Sequence, residues 1–129
     1  RTQQCLANPF DVDSPVSWVD WSRLETWKEL HDHVQVLIRL RRAHPPRDFQ
    51  FYGAVQAKPD VGWESRSIAW SAGGLYVMAN AWWDPLEFEI REPGPWKMAL
   101  STSDAASAAS DGSSRVMVVP RSMTVLRRP

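Results

Sequence analysis

The sequence predicts a mainly β protein with one long helix, the helix coming first and an antiparallel all-β unit following it. Three observations carry this. Trp27, Leu30, Val34, Leu37 and Arg41 recur at steps of three and four, one face of a 3.6-residue period. Leu86-Glu87-Phe88-Glu89-Ile90 alternates strictly, the pattern of a strand with one wet face. Gly73-Gly74, Asp84-Pro85 and Pro93-Gly94-Pro95 punctuate a series of short β-forming runs, as in a sandwich or half-barrel.

Taken in order, residues 1–22 have no period, and Asn8-Pro9, Asp11, Asp13 and Ser14-Pro15 mark turns. The helix has two capping boxes competing for its start, Ser22 with Glu25 and Thr26 with Glu29. Arg39, Arg41 and Arg42 fall in its last turn, where the helix dipole favours cations. His44-Pro45-Pro46 ends it, because a residue before proline is pushed out of the helical region. Strands are expected at Ser67–Ser71, Leu75–Trp82, Leu86–Ile90, Trp96–Leu100, Arg115–Val119 and Met123–Leu126. Ser101–Ser114 is small and polar, the composition of a loop. No internal repeat is visible.

The chain has 129 residues, enough for one ordinary domain or a domain plus part of another. Fifteen Lys and Arg balance fifteen Asp and Glu, which argues against nucleic acid and polybasic membrane partners, since both need clustered positive charge. No apolar run approaches the ~20 residues of a membrane helix. Cys5 is alone, so neither a disulfide framework nor a cysteine zinc site is expected, and a reducing, cytoplasmic setting is the default. The opening Arg1-Thr2-Gln3-Gln4 is not a signal peptide and reads as part of a longer chain.

Candidate chemistry is sparse. His31-Asp32-His33 has metal-ligand residue types, but residues two apart on a helix diverge and cannot share a tetrahedral ion. A solvated face is expected there. Asp11 and Asp13 lack the further oxygen ligands and turn glycine of a calcium loop, leaving turn and cap duty. Ser22, Ser71 and Ser101 have no elbow glycines, Cys5 has nothing beside it to lower its pKa, and no phosphate-cradling glycine loop exists. The expectation is no catalytic residue, no metal site and no cofactor.

Eight tryptophans remain. Trp27 on the helix stripe, and Trp70 and Trp96 in strand runs, are expected in the core. Trp82 and Trp83, adjacent at a strand end, should face opposite sides, exposing one of them. That pair is the candidate carbohydrate-stacking site.

"RTQQ", then "WVDW", then a helix ending "LIRLRRAHP", in that order, resembles the isoamylase-type glycogen debranching enzymes of the α-amylase superfamily, glycosyl hydrolase family 13. "DVGW", "SIAW", "LYVMANAWWDPLEFEI" and "RSMTVLRR" extend the similarity over essentially the whole chain, with Cys5-Leu6-Ala7-Asn8 standing where the family has a glycine and asparagines. The resemblance implies that residues 1–46 are the end of a (β/α)8 catalytic barrel, including its last helix. It implies that residues 47–129 are a C-terminal antiparallel β-sandwich. Trp18, Asp20, Trp21 and Trp27 then form a structural seam, with Asp20 a buried or half-buried acceptor for nearby N–H groups. The family's catalytic carboxylates lie upstream of "RTQQ". Glycoside hydrolysis needs two carboxyl groups roughly 5 to 10 Å apart, and the chain alone is expected to be inactive.

Three readings follow. The leading one is the non-catalytic C-terminal region of a glycogen or starch debranching enzyme, with the catalytic barrel as partner and an α-glucan as a possible contact. The second is a stand-alone carbohydrate-binding module with Trp82 or Trp83 as platform. The third is a scaffold fragment whose helix face Trp27, Leu30, Val34 and Leu37 forms a homo-oligomer or re-docks on its own sandwich.

Overall fold

A computed structural model describes residues 13–103 and 114–129. Cys5, Asp11, the "RTQQ" segment and most of the Ser101–Ser114 loop lie outside the described residues. The chain divides into two compact units, residues 1–40 and 41–129.

In the first unit a single 3-10 turn, Trp21–Arg23, precedes α1, Lys28–Ala43, whose last three residues belong to the second unit. The turn is capped by Asp20, whose Oδ1 accepts from the Ser22 N–H at 3.1 Å and the Ser22 hydroxyl at 2.6 Å. The acceptor for this turn thus comes from two residues before Ser22. Glu29 in the first turn of α1 and Arg41 and Arg42 in the last complement its dipole. The helix stops at Ala43, as His44-Pro45-Pro46 requires. No residue of α1 is buried.

Among the described residues of the second unit, seven strands form two antiparallel sheets. β1 (Gln50–Tyr52), β2 (Ser67–Ala72), β3 (Leu75–Asn80), β7 (Ser122–Arg127) and β5 (Lys97–Ser101) make a five-stranded sheet in the order β1-β2-β3-β7-β5. β4 (Leu86–Glu89) and β6 (Arg115–Val118) make the second. β1 was not expected: three residues ending at Tyr52 are too short to display a period. β3 stops at Asn80 rather than Trp82.

The β2–β3 hairpin turns on Gly73 and Gly74, with φ of 57° and 81°. Two positive φ values in a two-residue loop match the strand twist, and glycine adopts them without strain. A Cβ on Gly73 would also overlap the Pro45 carbonyl oxygen.

One apolar cluster joins the two sheets. Ala69, Tyr76, Met78 and Leu126 come from the larger sheet, and Phe88, Val116 and Val118 from the smaller, with Ile90 just beyond β4. Phe88 is buried between exposed Glu87 and half-buried Glu89, so the predicted alternation holds. Tyr52 stacks on Tyr76 with centroids 5.6 Å apart, and Trp96 meets Tyr76 edge-on at 5.7 Å. Trp96 is half-buried and packs against the edge of this core, whereas Trp70, half-buried and next to the core residue Ala69 in β2, faces the other side of the sheet. Burial pushes the Tyr76 hydroxyl pKa up to about 12. No helix among the described residues is long and apolar enough to cross a membrane.

Candidate functional site

The Trp82–Trp83 turn is organised by one buried polar residue. Asn80 ends β3 at 1% exposure, where its carboxamide cannot reach water. Its Nδ2 donates to the carbonyls of Asp84 at 2.9 Å, Val118 at 3.0 Å and Val119 at 3.3 Å. Its Oδ1 accepts from the Trp82 N–H at 2.9 Å. The contact to Val118 links the two sheets; those to Trp82 and Asp84 bend the chain out of β3.

That bend changes the expected disposition of the pair. Adjacent residues point apart only in an extended strand, and Trp82 and Trp83 lie beyond its end. Their rings lie side by side instead, centroids 5.4 Å apart and planes tilted by 42°. Both are open to solvent, Trp82 at 38% and Trp83 at 56%. Arg121 donates its backbone N–H to the Trp82 carbonyl at 3.1 Å from a left-handed conformation, φ 50°. Its guanidinium carbon sits 5.0 Å from the centroid of Trp83, and that of Arg66 sits 5.9 Å from Trp82. Each indole thus has a cation on one face, an attraction worth about 0.5–1 kcal/mol at exposed positions. Beside the turn, Ala79, Ala81 and Met123 line a shallow cleft of about 440 Å³, with Thr102, Ser122 and Arg121 among its polar lining.

The other four predicted residues lie in the first unit. Trp18 donates its indole N–H to the Asp13 carboxylate at 2.7 Å. Trp18, Trp21 and Trp27 are 59%, 75% and 46% exposed. Trp27 is therefore not core here, because the residues of its own unit provide no layer over it. Asp20 is likewise exposed rather than buried, and it pairs with Arg23 at 3.1 Å. The Ser22 hydroxyl bond, above all, holds its carboxyl below the usual carboxylate range.

Of His31-Asp32-His33, the first two are exposed and in contact, and His33 is half-buried. Lys28 Nζ lies 2.9 Å and His31 Nδ1 3.2 Å from the Asp32 carboxylate, and these two contacts, led by the lysine's, lower the Asp32 pKa. No group of three metal-ligating side chains occurs among the described residues. Sequence reasoning missed Asn80, Arg66 and Arg121. The one available signal was an asparagine closing the apolar run Leu75–Ala79, since a polar side chain in a buried strand needs partners of its own.

No protein-family model matches the chain. It is 28% identical over 137 residues to an isoamylase of Flavobacterium sp., covering 83% of this chain and 18% of that protein. It is 27% identical over 150 residues to an isoamylase of Pseudomonas amyloderamosa, covering 98% of this chain and 19% of the other. Its fold superposes on apo pullulanase from Paenibacillus barengoltzii with a TM-score of 0.71 at 25% identity, covering all of this chain and 21% of that one. The chain spans about a fifth of the length of these relatives. It is a homologue of the isoamylase and pullulanase debranching enzymes of the α-amylase family, and it corresponds to a part of them.

Proposed function

We propose that the chain is the non-catalytic C-terminal region of an α-1,6-glucan debranching enzyme acting on glycogen or starch. The observation that carries this is the correspondence of nearly the whole chain with about a fifth of an isoamylase. Residues 1–46 are read as the end of a (β/α)8 barrel, with α1 its last helix, and 47–129 as the accessory β-sandwich that stabilises it. The catalytic barrel is then the partner. The exposed Trp18, Trp21 and Trp27 and the exposed α1 stripe support this, because exposed apolar groups of this size call for a covering layer. Asp20 holds that seam's entry turn. A reducing, cytoplasmic setting fits the lone Cys5.

The Trp82–Trp83 pair is proposed as an α-glucan contact. Its uncovered ring surface suits the apolar face of a pyranose, and Arg66 and Arg121 suit its hydroxyls. Affinity electrophoresis with and without glycogen tests this contact. Retardation by glycogen that falls in Trp83→Ala and Trp82→Ala supports it; mobility unchanged by glycogen rejects it. Incubated with pullulan or glycogen, the chain alone should release no reducing ends, and release would refute the non-catalytic reading.

A further inference from the structure

A second cleft, of about 320 Å³, opens at the other end of β3, beside the Gly73–Gly74 turn. β3 runs six residues from Leu75 to Asn80, so this cleft lies roughly 17 Å from the tryptophan turn at ~3.3 Å per residue.

Its lining includes Arg47, Asp48, Gln50, Ser71, Glu92 and Arg128. One wall is held rigidly. Glu92 accepts from the Tyr52 hydroxyl at 3.1 Å and from Arg128 at 2.9 Å. Arg128 in turn lies 5.0 Å over the Trp96 ring, whose N–H donates to the Glu92 carbonyl at 3.1 Å. Each Glu92 carboxylate oxygen keeps a further lone pair for a ligand. The opposite wall is tied to the hairpin, because the Arg47 carbonyl accepts from the Gly73 N–H at 3.1 Å. Asp48 sits there at φ 53°, a left-handed conformation uncommon outside glycine and tolerated best by Asp and Asn. Among the described residues neither Arg47 nor Asp48 has an ion-pair partner.

The lining charges decide the ligand class. Arg47 and Arg128 balance Asp48 and Glu92, so an anion or a cation would meet as much repulsion as attraction. A neutral polyhydroxyl compound suits such a set, since carboxylates accept from hydroxyls while guanidinium and carboxamide groups donate to them. The volume lies at the lower end of the about 300–1,000 Å³ range of small-molecule sites, room for one or two sugar rings.

We propose that this cleft is a binding site for a neutral sugar of one or two pyranose rings. It is separate from the tryptophan turn and shares with the proposed function only its ligand class.

The test is a titration of the 129-residue chain with maltose, followed by backbone amide NMR, alongside Arg47→Ala, Asp48→Asn and Trp83→Ala. Arg47→Ala keeps the carbonyl bond to Gly73, and asparagine tolerates the backbone of residue 48. Saturable shifts are expected at residues 47–50, 73–74 and 92. Arg47→Ala and Asp48→Asn should each weaken binding at least about fivefold, the loss of one hydrogen bond to a charged group. Trp83→Ala should abolish any shifts at residues 79–83 and 121–123 while those at residues 47–50, 73–74 and 92 persist. The proposal is overturned by shifts that are absent or confined to residues 79–83 and 121–123, by wild-type affinity in both cleft variants, or by inorganic phosphate binding the cleft more tightly than maltose. Shifts confined to the tryptophan turn would leave the glucan contact proposed there standing while removing this one.

Discussion

Asn80 does more than any other polar residue here, because one carboxamide serves a strand end, a bend and the link between two sheets. Truncating it takes a donor from the Asp84 and Val118 carbonyls and the acceptor from the Trp82 N–H, while the Val119 carbonyl keeps the Ser122 hydroxyl at 2.8 Å. Asn80→Ala should therefore destabilise the protein by about 2–3 kcal/mol, within the range for orphaned buried polar groups. Urea denaturation should give a lower midpoint at an unchanged slope, and tryptophan emission should shift before the global transition as the Trp82–Trp83 turn loosens. Tyr76 gives the residue-scale pH prediction. Its pKa is raised from 10.0 to about 12 by burial, so the folded state favours the neutral phenol. That contribution is complete below pH 10, the unfolded value, and is lost as pH rises through about 12. Tyr52 and Tyr76 are the two tyrosines, and burial raises the pKa of Tyr52 too. Tyrosinate absorbance should rise with alkaline unfolding rather than ahead of it. In Tyr76→Phe the fall in stability above pH 10 should be shallower; equal steepness would mean that this hydroxyl is not the linked group.

At the scale of elements, Gly73 shows how tightly the β2–β3 turn is specified. Gly73→Ala adds a Cβ at positive φ and drives it into the Pro45 carbonyl, so it should cost more than about 1 kcal/mol, read as a fall in Tm. Gly74, whose Cβ would meet only the His44 ring at 3.6 Å, should tolerate alanine with the smaller loss due to its φ of 81°. Phe88→Ala, at 0% exposure between the sheets, should cost about 3–5 kcal/mol. These same elements show what could be read from the chain beforehand. The Gly-Gly hairpin, the Leu86–Ile90 alternation and the helix stop at His44-Pro45 each rest on local sterics or a strict period, and each is found in place. β1 escaped because its partner β2 lies fifteen residues away and its own three residues carry no signal. The Trp82–Trp83 geometry escaped for the same kind of reason: it depends on carbonyls of Val118 and Val119, almost forty positions downstream. The polar cleft gathers residues from four separate stretches, and no spacing rule could join them.

For the whole molecule the α1 stripe poses the main physical question. Trp27, Leu30, Val34 and Leu37 are 46%, 45%, 43% and 39% exposed, successive positions along one face. Single exposed apolar residues are ordinary; a contiguous row is a surface that normally has a partner. If that partner is a catalytic barrel, the chain on its own should cover the row by self-association. Multi-angle light scattering should then give a mass above the monomer's that rises with concentration. Leu30→Glu with Leu37→Glu should return it to monomer without lowering the Tm of the β unit, since neither side chain is buried. The sheet offers a rival surface in Phe51, Ile68 and Met123, which are 48%, 38% and 37% exposed. If Ile68→Glu rather than the helix pair restores the monomer, association runs through the sheet and the seam assigned to α1 is wrong. A wild-type chain that stays monomeric at every concentration would remove self-association through either face. The two glutamates would then be tested in a full-length debranching chain, where a barrel packed on α1 should make them cost stability that they do not cost here.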